Sequence, residues 1–159
     1  MLTDKQKGFL ERAIELSRKG IESGKGGPFG CVVVQGDVIV GEGCNCVTSS
    51  NDPTAHAEVV AIREACKKLG TYQLSDCEIY TSCEPCPMCL GAIYWARPKR
   101  VIYANTREEA AAIEFDDDFI YNEINASMVD RKIPFVHAPH ADAKAVFDQW
   151  KNLDSKKKY

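Results

Sequence analysis

No run in this 159-residue chain approaches the roughly 20 apolar residues that a membrane-spanning helix needs. The opening residues, Met1-Leu2-Thr3-Asp4-Lys5-Gln6-Lys7, are polar and hold no signal-peptide core, so a cytoplasmic protein without a membrane partner is expected. A large excess of one charge is also lacking. Net charge is −3, and the only basic run, Lys156-Lys157-Lys158, is too short to form a phosphate-binding surface. Nucleic acid is therefore not an expected partner. Of only three histidines, His137 and His140 lie far along the chain and read as surface or structural. No internal repeat, linker or second domain is expected either. With 45% hydrophobic and 27% charged residues, residues 1–159 are expected to form one globular domain.

Cysteine, by contrast, is plentiful, with eight residues. Without a secretion signal a disulfide framework is not expected. Cys83, Cys86 and Cys89 fall within seven residues, which points to a metal; the others mostly sit in apolar or helical patterns as small buried hydrophobes.

The apolar pattern predicts a first helix after Thr3 or Asp4, carrying Phe9, Leu10, Ala13 and Leu16. Cys31-Val32-Val33-Val34 and Val38-Ile39-Val40 flank Gln35-Gly36-Asp37 as a β-hairpin. A helix is expected over about 54–69, a strand over 78–82, a helix over about 85–96 and a strand over 100–104. That strand, helix, strand spacing is a βαβ unit with parallel strands. A helical or irregular stretch to Ile124, a short strand at Ile133-Pro134-Phe135-Val136 and a last helix bearing Val146, Phe147, Trp150 and Leu153 follow. The sum is an α/β fold, a mixed sheet with helices on both faces.

Two motifs carry chemistry. Thr54-Ala55-His56-Ala57-Glu58 and Pro85-Cys86-Pro87-Met88-Cys89 each open a helix. Cys86 and Cys89 are three apart and face the same way, and a helix start favours thiolate over thiol. Two thiolates and the imidazole of His56 give zinc three protein ligands and leave a fourth position for water, whose pKa falls to roughly 7. Glu58, two residues past His56, is offset from the ligand direction and is suited to proton transfer. Rival readings are a closed structural site that adds Cys83, an iron–sulfur centre that lacks its fourth cysteine, and a non-catalytic zinc module. Cys83 precedes the Glu84-Pro85 turn and is expected to point elsewhere.

His-x-Glu joined to Pro-Cys-x-x-Cys is the signature of the zinc deaminases. With it in place the chain resembles the cytidine deaminase-like superfamily, and within it the bacterial-type guanine deaminases. The likeness runs through Gly26-Gly27-Pro28-Phe29-Gly30, the two zinc motifs, residues 91–98, Phe115-Asp116-Asp117 and the terminal Tyr159. It implies a three-layer α/β/α sandwich around a mixed, mostly five-stranded sheet. It further implies one zinc ion per subunit on His56, Cys86 and Cys89, and hydrolysis of guanine at C2 to xanthine and ammonia. Glu58 would transfer protons, helped by Asp117. Phe29 would pack on the purine face, with Asn45, Asp117 and Tyr159 at its edges, and Trp95 would line the pocket. The C-terminal segment, about residues 139–159, would cross to a partner in a swapped homodimer, with Tyr159 acting in trans.

Read by themselves, Phe29 serves equally as core, Asn45 as a backbone partner at a strand end, Asp117 as part of a solvated acidic run and Tyr159 as a frayed end. Guanosine deaminases share the central motifs, but a terminal tyrosine favours the free base. A tRNA adenosine deaminase would want a basic surface around its pocket. Cytosine or triazine deamination would need only small changes at the recognition edge.

Overall fold

Thr3 starts the first helix, α1 (Asp4–Glu22), through a capping box: its hydroxyl accepts from the Gln6 amide while the Gln6 side chain accepts from the Thr3 amide. A computed structural model describes residues 1–115 and 117–159. Asp116, within one of the motifs quoted above, lies outside the described residues. After α1 come β1 (Gly30–Gln35), β2 (Val38–Cys44), a single turn α2 (Val47–Ser50), α3 (Ala57–Leu69), β3 (Cys77–Cys83), α4 (Pro87–Ala96), β4 (Arg100–Asn105) and α5 (Arg107–Ala111). These elements belong to one compact unit, Met1–Asp117. A second unit, Asp118–Tyr159, holds α6 (Asp118–Asn125) and α7 (Ala141–Asn152).

The sheet order is β2-β1-β3-β4. β1 and β2 form the expected antiparallel hairpin, turned at Gly36 with its φ of 60°. β3 and β4 run parallel across α4, the expected βαβ unit. β1 pairs antiparallel with β3, setting Cys31 opposite Thr81. The start of β1, the end of β2 and the end of β3 therefore share one edge of the sheet.

Period-two alternation divides the strands between two helical layers. Val32, Val34 and Tyr80 face α1, where Phe9, Leu10 and Leu16 cover them. Cys31, Val33, Cys77 and Ile79 face the other way, against Ala57, Ala61 and Ala65 of α3 and Ile93 and Ala96 of α4. This is a three-layer α/β/α sandwich, and Cys31 and Cys77 are the small buried hydrophobes expected of them. Small residues bring α3 against β2 almost backbone to backbone. A Cβ at Gly41 would stand 2.3 Å from the Ala61 carbonyl oxygen, and one at Gly43 the same distance from that of Ala57. The N-terminus of α3 is thereby fixed over the sheet edge.

The sheet has four strands among the described residues, not the five expected. Residues 133–136 are irregular, and Ile133 and Val136 are exposed. Pro134 has no N–H to give to a ladder, so an alternating apolar pattern there does not make a strand.

Candidate metal centre and active site

The motif does open a helix: His56 is the N-cap of α3, which begins at Ala57, slightly later than the expected start near residue 54. The preceding turn holds it there. Asp52 Oδ1 accepts from the Thr54 amide and hydroxyl, and the Cys46 amide donates to the Ala55 carbonyl. Cys86 caps α4 in the same way, in extended backbone, with Pro87 in the first turn where a missing N–H costs nothing. Cys89 lies one turn further on, fully buried. Two helix N-termini thus meet at the sheet edge, and each brings positive dipole charge to it.

Cys86 Sγ and Cys89 Sγ each lie 3.5 Å from His56 Nδ1. A tetrahedral zinc ion bound at the usual Zn–N and Zn–S lengths separates nitrogen from sulfur by about 3.5–3.6 Å, so the three groups fit that ion without rearrangement. They form one compact set of candidate ligands, and Cys83 is not in it. The Cys83 thiol donates instead toward the Thr106 carbonyl at 3.6 Å, and burial, followed by the nearby Glu58, pushes it up to about 11. Cys86 is pulled down to about 4, first by the hydrogen bond from Cys89 and then by that from His56. Cys89 retains its proton in that arrangement, through the same bond and its burial. The bond to Cys86 raises His56 above the usual imidazole value.

Glu58, in the first turn of α3, is 5% exposed and stands outside the ligand set. Its Oε2 lies 3.3 Å from Cys89 Sγ, the alternative acceptor to Cys86 for that single thiol proton, and its Oε1 accepts from the Thr81 hydroxyl at 3.1 Å. Burial raises this carboxyl above the usual carboxylate range. A carboxyl shifted toward neutrality is suited to taking and returning a proton near pH 7.

The group opens onto a cavity of about 400 Å³ in the Met1–Asp117 unit. Phe29, Asn45, His56, Glu58, Cys86, Cys89 and Asp117 all line it. Asn45 Oδ1 accepts from the Gly27 amide at 3.3 Å and the Val47 amide at 3.2 Å. Two N–H donors on one oxygen fix the amide's orientation and free Nδ2 as a donor. Asn45 therefore does satisfy backbone at a strand end, and it keeps two protons for other use. Phe115 is quoted above within the Phe115-Asp116-Asp117 motif, but no role is expected of it there. It meets Phe29 edge-on, ring centres 4.9 Å apart, and forms a second aromatic wall. Glu114, in left-handed backbone at φ 70°, turns the chain after α5 so that Phe115 arrives there.

Trp95 corrects an expectation. It is 63% exposed and does not line the cavity. Six residues past Cys89 on a helix amounts to a rotation of about 240°, which turns its side chain away from the ligand face. Tyr159 is exposed within the Asp118–Tyr159 unit.

Residues 3–105 match the family model of the cytidine and deoxycytidylate deaminase zinc-binding region. The chain is 57% identical over 151 residues to guanine deaminase of Bacillus subtilis, covering 95% of this chain and 97% of that protein. A solved structure of guanine deaminase from the same organism superposes with a TM-score of 0.94 at 54% identity, over 99% of both chains. A tRNA-specific adenosine deaminase of Aquifex aeolicus is 29% identical over 142 residues, 89% of this chain and 91% of that one.

Proposed function

Because the chain belongs to the cytidine and deoxycytidylate deaminase family and, within it, to the guanine deaminases, we propose that it hydrolyses guanine to xanthine and ammonia. The observation that carries this reading is a buried carboxyl, Glu58, set against a His/Cys/Cys group that fits zinc at the floor of an aromatic-walled cavity. His56, Cys86 and Cys89 would hold one zinc ion per subunit, and that ion would supply the acidity that brings a water's pKa to roughly 7.

The chain's own residues do the rest. Glu58 takes a proton from the attacking water and delivers it to the ring nitrogen beside C2. A C2–O bond forms, the C2–N bond breaks, and a second proton carried through Glu58 lets the amine leave as neutral ammonia. Phe29 and Phe115, packed edge to face, give the planar ring an apolar wall to lie against. Asn45 Nδ2 donates to an acceptor on the purine edge, and Asp117 accepts from ring N–H or amino donors and assists proton movement. Glu84, Glu114 and Asp117 give the cavity an acidic rim against one cation, Arg107. Such a rim repels a phosphate backbone and weighs against an RNA substrate. Ammonia release from guanine, guanosine, adenine and cytosine, measured in parallel, tests the assignment. Guanine is expected to turn over fastest; equal or faster turnover of guanosine overturns it.

The 159 residues act as one deaminase domain in a homodimer, with the segment from about residue 139 exchanged so that Tyr159 closes the partner's cavity. Exposed apolar side chains support this. Val146, Phe147 and Trp150 of α7 are exposed, as are Leu90, Tyr94 and Trp95 of α4. Patches of this kind mark interaction surfaces. Mixing the Glu58→Gln chain with one lacking Tyr159 provides the test. Action in trans restores one intact site per mixed dimer, so activity recovers to about a quarter of wild type on random exchange. No recovery places Tyr159 in cis, and full activity of the chain lacking Tyr159 by itself places it outside the site. Six cysteines outside the candidate ligand set, none of them paired in a disulfide, support a reducing, cytoplasmic setting.

A further inference from the structure

We propose that Thr81 is a positioning residue for Glu58: its hydroxyl pins one carboxylate oxygen so that the other is held at the reacting atoms. The inference rests on the guanine deaminase reading and adds to it the means by which the proton carrier is aimed.

Thr81 lies on β3 at an inward position, in the row that runs Cys77, Ile79, Thr81, Cys83 toward α3 and α4. It is 1% exposed. A hydroxyl in that row loses its water and must find a partner in the protein. Two acceptors are within reach, Glu58 Oε1 at 3.1 Å and the Gly30 carbonyl at 3.4 Å. There is one proton to give, and the shorter contact to a carboxylate is the stronger. Val would fill the same space with no polar group to satisfy, so packing alone does not call for threonine here.

The consequence lies in the division of labour between the carboxylate oxygens. Oε1 is on Thr81, and Oε2 is 3.3 Å from Cys89 Sγ, on the side of the candidate ligands. Oε2 is thus the oxygen turned toward the ligand side, where protons are exchanged, while Thr81 holds Oε1 and with it the terminal torsion of the side chain. The strand register sets this geometry. Thr81 is opposite Cys31 in the antiparallel β1–β3 pair, and β1 is the strand that begins at the cavity wall.

The test compares Thr81→Val, Thr81→Ala and Thr81→Ser with wild-type and Glu58→Gln enzyme. It follows kcat and KM for guanine, zinc per chain and the Kd for the product xanthine. For the Val and Ala variants kcat is expected to fall roughly ten- to hundredfold, the rate equivalent of a buried, charge-assisted hydrogen bond. KM, xanthine affinity and one zinc per chain are retained. Thr81→Ser restores the hydroxyl and is expected to stay within about threefold of wild type. Wild-type kcat in the Val and Ala variants, or an equal fall in the Ser variant, overturns the proposal. Should Thr81→Val not fold, the Ala and Ser variants, which differ by one oxygen atom, decide by themselves. If wild type does not release ammonia from guanine, or Glu58→Gln does, the functional reading fails instead.

Discussion

Replacing Glu58 with glutamine leaves the fold and the metal in place and lowers kcat by about 10²- to 10⁴-fold, the range general acid–base catalysis contributes. The side chain is buried, and desolvation already favours its neutral form. Glutamine is neutral and of the same shape, so it removes the exchangeable proton while relieving the cost of a buried charge. The thermal midpoint is therefore expected to hold or rise. Glu58 is also outside the ligand set, so zinc content should remain one per chain. Steady-state kinetics with metal analysis and a melting curve check all three. Turnover near wild type removes Glu58 from the chemistry, and loss of zinc recasts it as a ligand.

Cys86→Ala has the opposite profile. It takes away one of three ligands and the acceptor that holds Cys89 and His56 together. Zinc is expected to fall well below one per chain, with activity falling in proportion. Stability drops as well, because an ion that binds only the folded chain stabilises it by about 4 kcal/mol when free metal is a thousand times Kd. For a chain of this size that corresponds to a midpoint lowered by roughly 8–16 °C. Metal binding must displace the proton that Cys89 carries in the metal-free arrangement, so the affinity of the wild-type site weakens as pH falls. Full zinc occupancy in Cys86→Ala would mean that another group, with Cys83 the nearest cysteine in sequence, completes the site.

The parts of this molecule that were legible in its sequence are those where one residue type is demanded locally. His56, Cys86 and Cys89 are recognisable because a metal needs donors at helical and turn spacings, and the βαβ unit because alternation and helix length leave few other arrangements. The role of Phe115 was hidden because it reaches the cavity through the left-handed turn at Glu114, a tertiary placement with no periodic signal. Thr81 sat in an apolar row as an ordinary β-branched strand residue until the sheet register put it beneath Glu58. Trp95 was misplaced because proximity in sequence to Cys89 says nothing of azimuth around a helix. The strand expected at residues 133–136 failed for want of an amide at Pro134. Propensity and pattern set local geometry; which surface a residue meets is decided by long-range packing.

The central claim is that zinc is held by one imidazole and two thiolates, with an open position beside Glu58. X-ray absorption at the zinc edge of the loaded wild-type protein measures this ligand set directly. Two sulfurs at about 2.3 Å and two lighter atoms at about 2.0–2.1 Å are expected, one nitrogen from His56 and one oxygen from water. Three sulfurs and one nitrogen would mean that Cys83 closes the site, and the hydrolytic account would not stand.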